Sequence, residues 1–157
     1  MGLFITEAQL DQAILELRKK GPVVFTNGCF DLLHVGHVRY LKEARSLGAS
    51  LIVGVNSDAS VRKLKGLERP IQCESDRAEI LASLECVSLS ILFSEDTPES
   101  LIKRIRPDIL VKGGDWKIEE IAGGSFVQST GGRVLSLQFV DGKSTTQLIK
   151  KSQSAST

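Results

Sequence analysis

Val23-Val24-Phe25-Thr26-Asn27-Gly28-Cys29-Phe30-Asp31-Leu32-Leu33-His34-Val35-Gly36-His37-Val38-Arg39-Tyr40 is the stretch whose reading decides the fold. It opens on a short β-branched and aromatic run, the composition of a strand, and it ends where Val35, Val38, Leu41, Ala44 and Leu47 recur at helical spacing. The order is strand, glycine-containing turn, helix. Such a turn presents backbone N–H groups and the positive end of the helix dipole above the sheet, a place suited to phosphate. His34 and His37, the two histidines of the chain, are three residues apart and fall on neighbouring parts of one helix face. Gly36 between them removes a side chain, so an anion can approach the backbone. Three readings are open: two imidazoles donating to a phosphate that gains charge during reaction, one packed and one solvated histidine, or a metal site that also uses Cys29 and Asp31. The metal reading lacks a closing set of ligands elsewhere.

Outward from this stretch, strands and helices alternate. Upstream, Thr6-Glu7-Ala8-Gln9 reads as a capping box with Ile5 and Leu10 as its hydrophobic staple, so a helix is expected from about Glu7, with Leu10, Ala13, Ile14 and Leu17 on its apolar face and a Gly21-Pro22 stop. This helix is expected on the outside of the domain, in a structural role. Downstream, Leu51-Ile52-Val53-Gly54-Val55 is a strand covered on both faces, ending in the polar Asn56-Ser57-Asp58. The carboxyl end of a parallel sheet is its ligand-binding end. Residues 61–70 are the most basic part of the chain, either a solvated face or, directly after a strand end, an anion clamp. Ser75-Asp76-Arg77-Ala78 opens a helix with Ile80, Leu81 and Leu84 facing the core. Arg77 in its first turn gains nothing from the helix dipole, so it is assigned another job, such as reaching a phosphate.

Further on, Leu89-Ser90-Ile91-Leu92-Phe93 and Ile109-Leu110-Val111 read as strands separated by a helix opened by Thr97-Pro98-Glu99. The next string, Lys112-Gly113-Gly114-Asp115-Trp116, offers paired glycines against which a nucleotide can lie, with Lys112 or Asp115 at its phosphate or ribose, or else a glycine turn with Trp116 as packing. A last strand fits 133–137, and Ser144-Thr145-Thr146 cap a terminal helix. The expected fold is a Rossmann-like open parallel α/β sheet of about five strands with helices on both faces. We expect a single domain over 1–157, with an N-terminal helix in 1–21, the α/β core in 22–150 and a frayed tail in 151–157.

A chain of 157 residues with 20 Lys+Arg against 19 Asp+Glu has no basic field for nucleic acid. Cys29, Cys73 and Cys86 are odd in number and lack a CxxC pair, which argues against a disulfide framework or a structural zinc knuckle and favours a reducing, cytoplasmic home. No apolar run is long enough to span a membrane and the N-terminus is unlike a signal peptide. Gly142-Lys143-Ser144 lacks the earlier glycine of a P-loop, and no G-x-G-x-x-G or G-x-S-x-G is present. Phosphate binders remain, with no obvious nucleophile.

Residues 28–37 resemble the signature of the cytidylyltransferase-like nucleotidyltransferases, in which His-x-Gly-His lies at the start of the helix after the first strand. The wider spelling from Thr26 to Tyr40 is most similar to the adenylyltransferase domains that activate D-glycero-β-D-manno-heptose 1-phosphate, and the resemblance runs from the first helix to Ile149. It implies transfer of AMP from ATP to the sugar 1-phosphate, giving ADP-heptose for lipopolysaccharide synthesis and pyrophosphate. The acceptor phosphate attacks the α-phosphorus in line, so the protein supplies position and charge stabilisation.

By this resemblance the catalytic set is His34, His37, Lys63 and Arg77. Thr26, Asn27, Gly28, Cys29, Phe30, Gly36, Lys112, Gly114, Asp115, Ser144, Thr145 and Thr146 bind the nucleotide, and Asp31, Asn56, Lys65 and Arg69 bind the acceptor. Mg²⁺ accompanies the triphosphate without dedicated protein ligands, and a homodimer is implied. The alternatives are a CTP-dependent glycerol-3-phosphate cytidylyltransferase and a nucleotide-binding module without turnover. The former carries Arg-Thr-x-Gly-Ile where this chain has Phe139-Val140-Asp141-Gly142-Lys143. The kinase domain often fused to the heptose branch is absent from the sequence, so a separate kinase would supply the 1-phosphate.

Overall fold

The run at 23–28 forms β2 (Val23–Gly28), whose first four residues are wholly buried. It pairs in parallel with β3 (Ser50–Asn56), all seven residues of which are buried, as expected of a strand covered on both faces. The computed structural model describes residues 1–139 and 142–155. Val140 and Asp141 of the string before Ser144, and the last two residues of the expected tail, lie outside the described residues. β4 (Leu89–Phe93), β5 (Ile109–Gly113) and β6 (Arg133–Leu137) complete the five expected strands. A sixth, β1 (Leu3–Ile5), adds to the edge of β4 with Leu3 opposite Leu89 and Ile5 opposite Ile91. Three residues carry no readable period, and this strand takes its register from its neighbour.

The sheet is parallel throughout, in the order β1-β4-β3-β2-β5-β6. From β2 the chain moves outward through β3 to β4, then crosses back to lay β5 on the other side of β2. That reversal is a topological switch point, where a crevice opens outside the carboxyl ends of the strands. β2 matches β3 along its whole length, from Val23–Ser50 to Gly28–Val55. Against β5 it matches only at Val24–Ile109 and Phe25–Leu110.

Helices cover both faces. On one, α1 (Leu10–Arg18), α5 (Glu99–Ile105) and α6 (Gly124–Ser129) press Leu10, Ile14, Ile102, Ile105 and Val127 against Phe25, Ile52, Ile91 and Leu110. On the other, α2 (Val35–Ser46) and α4 (Glu74–Ala82) press Tyr40, Leu41, Ala44, Ala78 and Leu81 against Val24, Val53, Val55 and Val111. α1 is therefore part of a core layer. The Thr6 amide donates to Gln9 Oε1 at 3.0 Å, but the turn so capped is 3₁₀ over Glu7–Gln9, and the α-helix begins at Leu10. Ile80, expected in the core, is 36% exposed, because α4 instead turns Arg77, Ala78 and Leu81 inward. α3 (Asp58–Lys65) follows β3, and α7 (Thr145–Ser154) takes up most of the expected tail as helix. Among the described residues no helix is long and apolar enough to cross a membrane.

Candidate active site

β2 runs out at Gly28, and the chain reaches α2 through a turn with an unusual conformation. Phe30 is left-handed at φ 48°, which costs a non-glycine residue about 1–2 kcal/mol. The conformation lays its ring over Gly28, where a Cβ would stand 2.9 Å from the ring, and against the edge of His37 at 5.4 Å between centroids. Phe30 is thereby buried, and burial of an aromatic side chain offsets the backbone term.

His34 is the N-cap of α2: its Nδ1 accepts from the Gly36 amide at 3.1 Å. The His34 amide in turn donates to His37 Nδ1 at 3.3 Å. A neutral imidazole that accepts at Nδ1 carries its proton at Nε2. Both rings therefore turn an N–H away from the helix backbone, and both line the same cleft. They stack with centroids 3.9 Å apart. A Cβ on Gly36 would meet His34 Nδ1 and Cε1 at 2.9 Å, so glycine is what lets the cap close.

Both imidazoles are held neutral. Burial, with smaller contributions from His34 and Lys65, lowers the His37 pKa from its ordinary 6.5 to about 4. Burial and then the Lys143 charge lower that of His34. A folded-state pKa below the unfolded value means that the unfolded chain binds more protons between the two, so stability is lost as pH falls from 6.5 toward 4. Thermal unfolding at pH 7.5 and pH 5 should therefore show a larger drop in Tm for the wild type than for His37→Ala; equal drops would contradict the buried neutral imidazole.

The cleft, about 420 Å³, lies in the switch-point crevice. Lys65, at the end of α3, and Arg69 line it on the β3 side. Lys112 of β5 lines it on the other, while Lys143, whose Cβ would stand 3.4 Å from a Cβ on Gly36, and Ser144-Thr145-Thr146 at the start of α7 line it beside the histidine turn. The histidine turn on β2 stands between the two sides. Thr145 Oγ1 donates to Leu32 O at 2.9 Å, which docks the start of α7 on the loop before His34, while Ser144 Oγ caps the helix by accepting from the Gln147 amide. Burial lowers the Lys112 pKa, partly opposed by Cys29, and burial raises that of the Cys29 thiol against the pull of Lys65, Arg77 and Arg69. Two cationic walls with neutral donors between them suit a ligand with several negative charges.

Asp31, the acid in the cleft wall, is fully engaged. It accepts from Arg69 Nε at 2.7 Å, the Ile71 amide at 2.9 Å and the Gln72 amide at 3.0 Å. Burial alone would raise its pKa, but the Gln72 and Ile71 amides and Arg69 outweigh it and hold the carboxyl below the usual range. From the wall of the cleft it anchors residues 69–72.

Several expected site residues stand elsewhere. Arg77 is wholly buried and donates to Cys29 O at 2.6 Å, Gln72 O at 3.1 Å and Asp58 Oδ1 at 2.9 Å, so it braces the turn and cannot reach a phosphate. Lys63 pairs with Asp96 at 3.3 Å on the surface, because α3 carries it and Lys65 on different faces. Thr26 is buried, its hydroxyl 2.6 Å from that of Tyr40. Asn56 donates its amide to Ser60 Oγ at 2.9 Å. Gly114 and Asp115 flank the cleft wall that Gly113 and Trp116 form, and Asp115 faces solvent. Asn27, Gly28, Cys29 and Phe30 do line the cleft, and Gly36 lies under His34. Gly113 lines the cleft as one of the paired glycines expected against a nucleotide, whereas Tyr40, Trp116, Phe139 and Lys143 line it too without a binding role expected from the sequence. Tyr40 was open to inference, one helical turn after His37; Phe139 and Lys143 are brought in by the return of the chain after β6.

An open parallel sheet with a capped imidazole pair and two lysine-bearing walls at its switch point is a nucleotide-handling α/β domain. A family model described as cytidylyltransferase-like matches residues 25–151, and the chain belongs to that family. The bifunctional protein HldE of Citrifermentans bemidjiense is 57% identical over 143 residues, covering 90% of this chain and 29% of that protein. The chain thus spans under a third of the length of the curated relatives it matches. The crystal structure of a lipopolysaccharide core biosynthesis protein from Thermoplasma volcanium is 31% identical with a TM-score of 0.65, over 78% of this chain and 99% of that one. Pantothenate synthetase from Thermus thermophilus, at 16% identity and a TM-score of 0.58 over 89% of this chain and 62% of that one, shares the fold.

Proposed function

We propose that this chain is a nucleotidyltransferase that moves AMP from ATP to D-glycero-β-D-manno-heptose 1-phosphate, yielding ADP-heptose and pyrophosphate. The observation that carries the reading is the imidazole pair, held by backbone amides at both Nδ1 atoms in the lining of a cleft that also carries Lys65, Arg69 and Lys112. The identity to bifunctional HldE proteins over nearly the whole chain supports the heptose acceptor.

In this reading the triphosphate lies along Lys112, Lys143 and the start of α7, with the amides of the Gly28–Phe30 turn beneath it. The sugar phosphate lies against Lys65 and Arg69. Its oxygen attacks the α-phosphorus, the bond to the bridging oxygen breaks, and pyrophosphate leaves in line. His34 and His37 donate to the α-phosphate and the leaving bridge, where charge grows. The acceptor is already ionised, so no general base is required, which agrees with a cleft whose carboxylate is engaged. Mg²⁺ would accompany the phosphates of ATP and would supply charge neutralisation there. The chain is read as one domain, acting in the cytoplasm as a homodimer.

The test is pyrophosphate release with Mg²⁺, crossing ATP, CTP and GTP with heptose 1-phosphate and glycerol 3-phosphate. Release with ATP and heptose 1-phosphate alone is expected. Release only with CTP and glycerol 3-phosphate would move the chain to the cytidylyltransferase branch, and silence throughout would overturn the reaction.

A further inference from the structure

The last pairing of β2 with β5 is Phe25–Leu110, and the next residues along the two strands, Thr26 and Val111, are linked through a side chain instead. Tyr40 comes in from α2, one helical turn after His37. Its hydroxyl stands 2.6 Å from Thr26 Oγ1 and donates to Val111 O across a longer 3.5 Å. With the phenol proton directed at the carbonyl, the Thr26 hydroxyl is the donor of the shorter bond, and the chain of two bonds runs from β2 through α2 to β5. Thr26 is wholly buried and Tyr40 is 3% exposed. Burial pushes the phenol pKa up to about 12 against the pull of Thr26, so the donor keeps its proton through neutral pH. The Tyr40 ring also meets Phe139, 5.5 Å away between centroids, and the Phe139 ring covers Gly113 of β5.

The hydrogen bonds that His34 and His37 make come from their own turn, the Gly36 and His34 amides. Those bonds set the rings relative to α2, and the seating of α2 on the sheet sets them relative to the cleft walls. Among the described residues, Tyr40 is the one residue of α2 whose side chain hydrogen-bonds to a strand. We infer that Tyr40 is a positioning residue: its hydroxyl, held between Thr26 and Val111, fixes the first turn of α2 across β2 and β5 and so places the imidazole pair over the cleft. The consequence for turnover rests on the proposed reaction; the placement of the rings does not. A catalytic donor displaced by a fraction of an ångström loses rate before it loses ligand.

Stability and position separate in a pair of variants of the full chain. Tyr40→Phe leaves the Thr26 hydroxyl buried without its partner and should lower Tm by a few degrees, whereas adding Thr26→Val removes both polar groups and should restore most of the Tm. In pyrophosphate release from ATP and heptose 1-phosphate, both the single and the double variant should lose about tenfold in kcat, with each KM within about threefold of the wild type. Recovery of kcat together with Tm in the double variant would reduce Tyr40 to a stabilising residue, and a rise in KM at unchanged kcat would make it a ligand-binding one; either overturns the inference. The placement is read without turnover by NMR titration of the two imidazoles. Burial, ahead of His34 and Lys65, holds the His37 value near 4, so loosening of the turn should move it toward 6.5 in both variants. An unchanged His37 titration in both overturns the placement. A wild-type chain that releases pyrophosphate from no substrate pair overturns the proposed reaction instead, and the imidazole titration still decides whether Tyr40 places the rings.

Discussion

Replacing His34 or His37 by alanine is expected to lower kcat by about 10²–10³-fold, the loss typical of removing one preorganised donor at a site of developing charge. The Kd for ATP should change by less than about threefold, because a ground-state triphosphate is held chiefly by Lys112, Lys143 and the turn amides. The two variants differ in a second readout. His34 caps α2 through Nδ1, so His34→Ala also removes a cap of about 1 kcal/mol and should lower Tm by a few degrees, roughly 2–4 °C. Stopped-turnover kinetics, equilibrium ATP binding and a melting curve on each variant separate these effects. Equal losses in kcat and ATP affinity would show that the imidazoles bind the ground state and that the transition-state assignment is wrong.

Arg77→Ala should be strongly destabilising. It would leave Asp58 without its partner at 2.9 Å and two carbonyls, Cys29 O and Gln72 O, without donors in the interior. Removing one member of such a buried arrangement costs about 3–5 kcal/mol, which for a domain of this size corresponds to a fall in Tm of roughly 6–20 °C. Arg77→Lys should recover only part of this. A single ammonium on a flexible stem can pair with Asp58 but does not reproduce the planar fork that meets three partners at once. Differential scanning calorimetry checks both. A loss under about 1 kcal/mol for Arg77→Ala would mean that water or a neighbouring donor replaces the guanidinium and that the brace is dispensable.

The histidine turn was readable because its residue types are constrained over a long string, and each constraint has a structural counterpart: Gly36 under the cap, Gly28 under the Phe30 ring. The strands β2 to β6 were readable as apolar runs between polar ends. What the sequence hides is the partner that is main chain rather than side chain. Asp31 and Arg77 look like ligand-binding charges, yet they bond to the amides of Ile71 and Gln72 and the carbonyls of Cys29 and Gln72, groups that every residue carries. Lys63 and Lys65 look equivalent in a basic run and become unlike once α3 extends to Lys65 and turns them to different faces. Phe139 and Lys143 could not be placed from local pattern, because no period sets Phe139 over Gly113 or Lys143 beside Gly36.

The uneven pairing of β2 bears on mechanics. Its ladder to β3 holds along the full strand, whereas its ladder to β5 ends at Phe25–Leu110. The sheet is thus two ladders joined by a short stitched seam, with Lys65 and Arg69 on the β3 side of it and Lys112 and Phe139 on the β5 side. A ligand that touches both sides acts as a clasp across it, adding the cross-links that the backbone itself omits.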